Sequence, residues 1–315
     1  MTAVSPPDVV DRVAFLDRVA TAPISWGVCE VPGWGHQLPP SRVLREMHEL
    51  GFRSTELGSD GWLPADSCEM VELLREHCLT PLAAFVPLVV HDATQTDTTL
   101  GSARAFARHL QQSGARYFNT APVTSTDWEP RRSYSDAEWA HLVETLAAID
   151  AICTEHGVLQ VVHEHVGCVI ETNDDIARLV SSSPVKLVLD TGHMAVGGCD
   201  PLTFAREHAG SVGLVHLKDV RLAVAARLNA GELTLMQAVQ EGLFPALGHG
   251  DLPISDIIIE LERAGFCGHY VIEQDCAITG DLPELGSGPM IDVAQSLAFI
   301  AKVAESLANN ASADR

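Results

Sequence analysis

The sequence predicts an α/β protein built as a single (β/α)8 barrel, the TIM architecture. Three observations carry this expectation. Short apolar runs rich in Val, Ile and Leu alternate with longer amphipathic patterns from end to end, eight of each. Parallel strands need such helical crossovers. The 315 residues suit one barrel, for which about 250 residues is typical. No Gly-rich phosphate loop follows an early strand, as an open doubly wound sheet usually shows.

The candidate strands span 22–28, 54–57, 82–87, 117–120, 159–163, 186–190, 213–217 and 270–273, each bounded by Gly, Pro, Asp or Asn. Helices are expected between them. The pattern over 40–50 closes at Gly51, 67–78 carries Met70, Leu73 and Leu74 at helical spacing, and 102–113 stops before Gly114. The stretch 136–156 places Trp139, Leu142, Leu146, Ile149 and Ile152 on one stripe and closes at Gly157. Asn173 is expected to cap a helix through Val180. The series ends with 201–209, 253–264 and 291–307. Segment 220–250 is long for a connection and is expected to hold an insertion with a short helix over 233–241. These readings divide the chain into an N-terminal extension (1–20), the barrel (21–308) and a frayed tail (309–315).

Acids outnumber bases 42 to 20, a formal charge of -22. That field repels phosphate backbones, and no Lys/Arg cluster offsets it, so nucleic acid is excluded as a partner. The longest apolar stretch, 81–90, is too short to span a bilayer and contains Pro81 and Pro87. Residues 1–10 lack a basic segment followed by an apolar one. A cytoplasmic protein with no membrane contact is the expectation. The eight cysteines include no Cys-x-x-Cys pair and are expected to be small buried hydrophobes rather than disulfides or metal ligands. Barrels often pair, so a homo-oligomer is compatible, but no interface can be read.

Chemistry on a barrel sits at the carboxyl ends of its strands. The second run ends in Glu56, the fifth in His163-Glu164-His165, the sixth in Asp190, the seventh in His216 followed by Lys218, and the eighth in Glu273. Carboxylates converging on one mouth repel unless a cation joins them. A mixed imidazole–carboxylate set suits Mn²⁺, Co²⁺, Fe²⁺ or Zn²⁺ better than Ca²⁺. Each residue also has a plainer reading. Asp190 before Thr191-Gly192 suits a helix cap, His216 a hydrogen-bonded core histidine, and Glu273 or Lys218 a solvated loop residue. His193 suits a cap or a packing role. Strand alternation places His163 and His165 on one face and Glu164 on the other, without saying which face looks inward.

Several ordered stretches carry a family resemblance. They are Ala22-Pro23-Ile24-Ser25-Trp26-Gly27, Thr55-Glu56-Leu57-Gly58, His163-Glu164-His165-Val166-Gly167, Leu189-Asp190-Thr191-Gly192-His193, His216-Leu217-Lys218-Asp219-Val220-Arg221, Gly248-His249-Gly250-Asp251 and Val271-Ile272-Glu273-Gln274-Asp275. On these the chain resembles the xylose-isomerase-like barrels of sugar isomerases, epimerases and dehydratases, and within them the inosose dehydratases. The resemblance implies one divalent metal held by Asp190, His216, Glu273 and a fifth-strand ligand, either His163 or Glu164. Mn²⁺ is the first expectation, with Co²⁺, Fe²⁺, Mg²⁺ or Zn²⁺ as alternatives. It further implies a small polyhydroxylated keto substrate and loss of water from a keto-inositol or related keto-sugar through an enediolate. The alternative is a keto-sugar isomerase or epimerase using the same metal. Glu171, His165 and His193 are the candidate bases, Lys218 the enolate stabiliser or acid, and Trp26 and Glu56 the residues expected to line the substrate end.

Overall fold

A computed structural model describes residues 12–31 and 33–313. It is a barrel of parallel strands: β1 (Val19–Thr21), β2 (Ser54–Thr55), β3 (Thr80–Pro81), β4 (Ala83–Leu88), β5 (Tyr117–Pro122), β6 (Leu159–His163), β7 (Lys186–Asp190), β8 (Val212–Leu217) and β9 (Tyr270–Ile272). The sheet order is β3-β2-β1-β9-β8-β7-β6-β5-β4. β3 and β4 are two halves of one strand joined at Leu82. The Leu82 amide donates to Thr55 O at 2.8 Å, and its carbonyl accepts from the Arg116 and Tyr117 amides at 2.8 and 3.1 Å. The ring thus closes through this residue, giving eight strand positions.

Around the ring lie α1 (Arg12–Leu16), α2 (Pro40–Glu49), α3 (Ser67–Glu76), α4 (Thr96–Ser113), α5 (Asp136–Glu155), α6 (Asn173–Ser182), α7 (Thr191–Val196), α8 (Pro201–His208), α9 (Leu222–Asn229), α10 (Leu235–Gln240), α11 (Ile254–Arg263) and α12 (Pro289–Ala313). Their starts follow from local chemistry. Ser135 with Glu138, Thr172 with Asp175 and Thr234 with Gln237 form reciprocal capping boxes. Thr172, not Asn173, therefore caps α6.

The largest departure from expectation is the first strand. It lies at Val19–Thr21, and residues 23–26 form a 3₁₀ turn instead. Pro23 has no amide proton to give a ladder, and Gly27, at φ +80°, ends the turn in the left-handed region where a side chain is strained. Of the extension expected over 1–20, residues 1–11 lie outside the described residues, while Arg12–Leu16 and Val19–Thr21 are helix and barrel strand. Of the tail expected over 309–315, residues 314–315 lie outside them, and α12 runs to Ala313. The 220–250 insertion holds two helices, α9 and α10, rather than one. All eight cysteines are free, but only Cys153, Cys168 and Cys199 are buried.

Strand alternation splits the interior into two cores. Ala20, Ala22, Leu82, Ala83, Tyr117, Val161, Val188, Leu214 and Val271 fill the barrel centre. Their neighbours Val162, Leu187, Leu189, Val215, Leu217, Tyr270 and Ile272 pack outward in the larger layer against the helices. Moving two residues toward the carboxyl end from each inner residue keeps the inward direction. That step leads from Val161 to His163, from Val188 to Asp190, from Leu214 to His216 and from Val271 to Glu273. The register Asp190↔His216 sets two of these side by side.

Candidate active site at the carboxyl end of the barrel

The inward residues above the apolar core converge on one buried polar cluster. His163, Asp190 and His216 place ligand-type atoms within 4.8 Å of one another, as do Glu56, His216 and Glu273, and likewise Asp190, His193 and Glu273. All six residues are buried. The Lys218 ammonium sits among them at 3.2 Å from Asp190 Oδ2, 2.7 Å from Glu273 Oε1 and 2.8 Å from Asp275 Oδ1.

Asp190 shows that its two sequence readings were not exclusive. Its Oδ1 accepts from the Gly192 and His193 amides at 2.8 and 2.9 Å and caps α7. Its Oδ2 faces the cluster, 3.5 Å from His163 Nε2 and 3.6 Å from His216 Nδ1. The cap aims the second oxygen.

Electrostatics follow from burial and crowding. Burial works against charge on Lys218, but Asp190, Asp275 and Glu273 outweigh it and hold the pKa well above the usual lysine value. Burial, then the positive field of His163 and Lys218, drives His165 down to about 3. His193 is also held neutral by burial, with His165 and Lys218 adding to it. Its Nε2 lies 2.9 Å from Lys218 Nζ, and its ring lies tilted against His165 at 3.7 Å between centroids. His165 donates Nδ1–H to Val166 O at 2.8 Å, which leaves Nε2 as the free lone pair. Burial raises Asp275 to about 6, against the pull of Lys218.

Above the cluster opens a cavity of about 520 Å³ whose walls include Glu56, His163, His165, His216, Glu273 and Asp275. Its apolar lining includes Ile24, Val28, Trp34, Phe85 and Trp128. Phe85 and Trp128 stack nearly parallel, 6.3 Å apart. Such a face suits the C–H side of a ring, while the polar side suits its hydroxyls.

Three expected site residues stand elsewhere. Trp26 is fully buried and gives its indole N–H to Glu46 Oε2 at 2.7 Å. The 3₁₀ turn points it at α2, and it is absent from the cavity wall. Glu171 accepts from the Gly167 amide at 3.1 Å and pairs with Arg131 at 3.7 Å. It serves its own loop and does not border the cavity. Glu164 faces away from the barrel centre, as alternation requires, and accepts the Asp190 amide at 2.7 Å. Burial and the nearby Asp190 raise its pKa well above the carboxylate range. The structure brings together His163, His165, Asp190, His193, His216, Lys218, Glu273 and Glu56, the last bound to His216 rather than standing free. Asp275 was not among the expected site residues, and the same two-residue step from Glu273 identifies it. Nor were Phe85 and Trp128. Trp128 lies on a loop at φ +57°, which no periodicity marks.

The cluster also passes a test for a cation. His163 Nε2, Asp190 Oδ2 and His216 Nδ1 are buried without a hydrogen-bond partner. Buried polar atoms are rarely left so. Three carboxylates (Asp190, Glu273, Asp275) crowd one ammonium and a fourth, Glu56, faces His216, so the donors are imidazole and carboxylate. A divalent ion suits both the charge and the donor set, and His163, Asp190, His216 and Glu273 could hold one.

Comparisons with known proteins agree with this picture. Residues 44–302 match the family described as xylose isomerase-like TIM barrel. An inosose dehydratase of Geobacillus kaustophilus (strain HTA426) is 32% identical over 275 residues, covering 83% of this chain and 89% of that protein. The rhizopine catabolism protein MocC of Rhizobium meliloti is 28% identical over 267 residues, 82% of this chain and 81% of its own length. Among solved structures, the IolI protein with a bound zinc atom superposes with a TM-score of 0.70 at 14% identity, over 92% of this chain and 99% of its own. An L-ribulose 3-epimerase superposes at 0.69 and 15% identity, over 94% and 97%. At those identities the solved structures speak to fold. The match over most of the barrel decides the matter: the chain belongs to the xylose isomerase-like TIM barrel family of enzymes.

Proposed function

We propose that this protein is a metal-dependent lyase that removes water from a keto-inositol or a closely related keto-sugar. The observation that carries the reading is the set of three buried atoms that face one another without a hydrogen bond, His163 Nε2, Asp190 Oδ2 and His216 Nδ1, beside neutral imidazoles and a buried ammonium. The relatives named inosose dehydratase support the substrate class. A dication held by His163, Asp190, His216 and Glu273 supplies Lewis-acid polarisation of the substrate carbonyl, and Mn²⁺ is our choice for it.

The chain's own groups divide the remaining work. The ring lies with its C–H face on Phe85 and Trp128. His165 borders the cavity with a free Nε2 lone pair and takes the proton from the carbon next to the carbonyl. Asp275 borders the same cavity and touches Lys218. It delivers a proton to the leaving β-hydroxyl, and Lys218 restores its charge balance. Carbon–hydrogen and carbon–oxygen bonds break, a carbon–carbon double bond forms, and one water leaves.

The test starts from chelator-stripped protein reloaded separately with Mn²⁺, Co²⁺, Fe²⁺, Mg²⁺ and Zn²⁺ and incubated with keto-inositols in deuterated water. The expected result is a metal-dependent, ultraviolet-absorbing dione or its enol. Full activity of the stripped protein overturns the metal role. Deuterium incorporation with no loss of water overturns the lyase reading in favour of an isomerase or epimerase.

A further inference from the structure

Glu56 reaches the cluster from the opposite arc of the barrel, at the end of β2, and is only 5% exposed. Its backbone is tied on both sides: its amide donates to Thr21 O at 3.0 Å, and its carbonyl accepts from Thr55 Oγ1 at 2.9 Å. Its carboxylate Oε1 lies 3.0 Å from His216 Nε2. On the far side of the same ring, His216 Nδ1 is 3.0 Å from Glu273 Oε2 and 3.6 Å from Asp190 Oδ2, yet has no aligned hydrogen bond. One imidazole is thus gripped at one nitrogen and left open at the other.

We propose that Glu56 is a positioning residue for His216: it accepts the Nε2–H, fixes the ring, and keeps the Nδ1 lone pair directed at the space between Asp190 and Glu273. Imidazole ligands generally give their second ring N–H to a carboxylate or carbonyl, which sets ring orientation and raises ligand basicity. The geometry assigns that role to Glu56, in place of the substrate contact its strand-end position suggested. The inference rests on the reading that a cation binds here, and concerns a residue outside the four ligands.

The test measures cation affinity directly, without turnover. Stripped wild type, Glu56→Ala, Glu56→Asp and Glu56→Gln are titrated with Co²⁺ against a chromophoric chelator, and each is checked for folding by thermal denaturation. Loss of such an outer partner costs about 10–100-fold in metal affinity. Glu56→Ala is expected to weaken binding by that amount. Glu56→Asp keeps the charge but withdraws the acceptor, and is expected to follow Ala. Glu56→Gln keeps an oxygen acceptor at the same reach and is expected to stay within about threefold of wild type, because the N–H partner is retained. Wild-type affinity in both Ala and Asp overturns the inference. Equal loss in Gln and Ala also overturns it, by making Glu56 a ligand itself. A wild type that takes no Co²⁺ overturns the cation site and this inference together, whereas the first two outcomes leave the site standing.

Discussion

Asp190 offers a perturbation whose two oxygens can be separated. Oδ1 caps α7 through two amides at 2.8 and 2.9 Å, while Oδ2 lies against His163, His216 and Lys218. Asp190→Asn keeps a capping oxygen and removes the charge. Asp190→Ala removes both. Losing an N-cap acceptor costs about 0.5–2 kcal/mol. The bare attraction between Asp190 and Lys218 at 3.2 Å is about 5 kcal/mol at an effective dielectric constant of about 20. That term is lost in both variants, and Glu273 and Asp275 still neutralise Lys218. The difference between the two variants therefore isolates the cap, about 0.5–2 kcal/mol. Near 2 °C of Tm per kcal/mol, metal-free Asp190→Ala should melt about 1–4 °C below metal-free Asp190→Asn. Both should lose the thermal stabilisation expected of wild type on adding Mn²⁺, about 4 kcal/mol at a thousandfold excess over Kd. Differential scanning fluorimetry with and without metal reads both effects. Identical melting of the two metal-free variants refutes the cap, and a wild-type metal shift in Asp190→Asn refutes the cluster-facing oxygen.

Three further outcomes are expected elsewhere. Trp26→Phe deprives buried Glu46 Oε2 of its 2.7 Å donor, which should cost about 1–3 kcal/mol of stability and leave KM unchanged. A raised KM at wild-type Tm would return Trp26 to the substrate site. Asp219 accepts from the Val220, Gly248, Gly250 and Leu252 amides, so Asp219→Ala should cost upward of about 3 kcal/mol. Hydrogen exchange should speed up over 246–252 while metal affinity holds, and unchanged exchange there would contradict the anchoring role. Burial, with Arg116 and Arg18 nearby, lowers the His269 pKa from 6.5 to about 4. The folded state then binds fewer protons than the unfolded chain inside that window. Its contribution is complete above pH 6.5 and is lost as pH falls toward 4. Urea unfolding of His269→Gln should show a shallower decline of stability over that range, and matching slopes would contradict the assignment.

Much of the architecture could be read from the sequence because its signals are local. Strands β6 and β7 fall on their expected bounds, and α5 ends where Gly157 permits a left-handed turn. The ambiguities arose where a signal has two physical sources. Both faces of these parallel strands are buried, so polarity does not mark the inside, and His163 and Glu164 could not be told apart until the small inner residues Ala20, Ala22 and Ala83 were seen lining the barrel centre. Asp190 suited a cap or a ligand because a carboxylate has two oxygens: Oδ1 caps α7, and Oδ2 faces the cluster. Trp26 and Glu171 were misplaced because their directions depend on a 3₁₀ turn and on the loop 164–172, neither of which has a period to read. Glu56 was expected at the mouth, but its partner lies 160 residues away, a relation that only closure of the ring creates.

Everything proposed for this site depends on a cation meeting three buried atoms that lack hydrogen bonds at the barrel mouth. Crystals grown from stripped protein and soaked in Mn²⁺ test this by anomalous scattering. One strong peak in ligand contact with His163 Nε2, Asp190 Oδ2 and His216 Nδ1, with Glu273 turned toward it, is the expected result. A map with no peak there, and Lys218 still bridging Asp190 and Glu273, would contradict it.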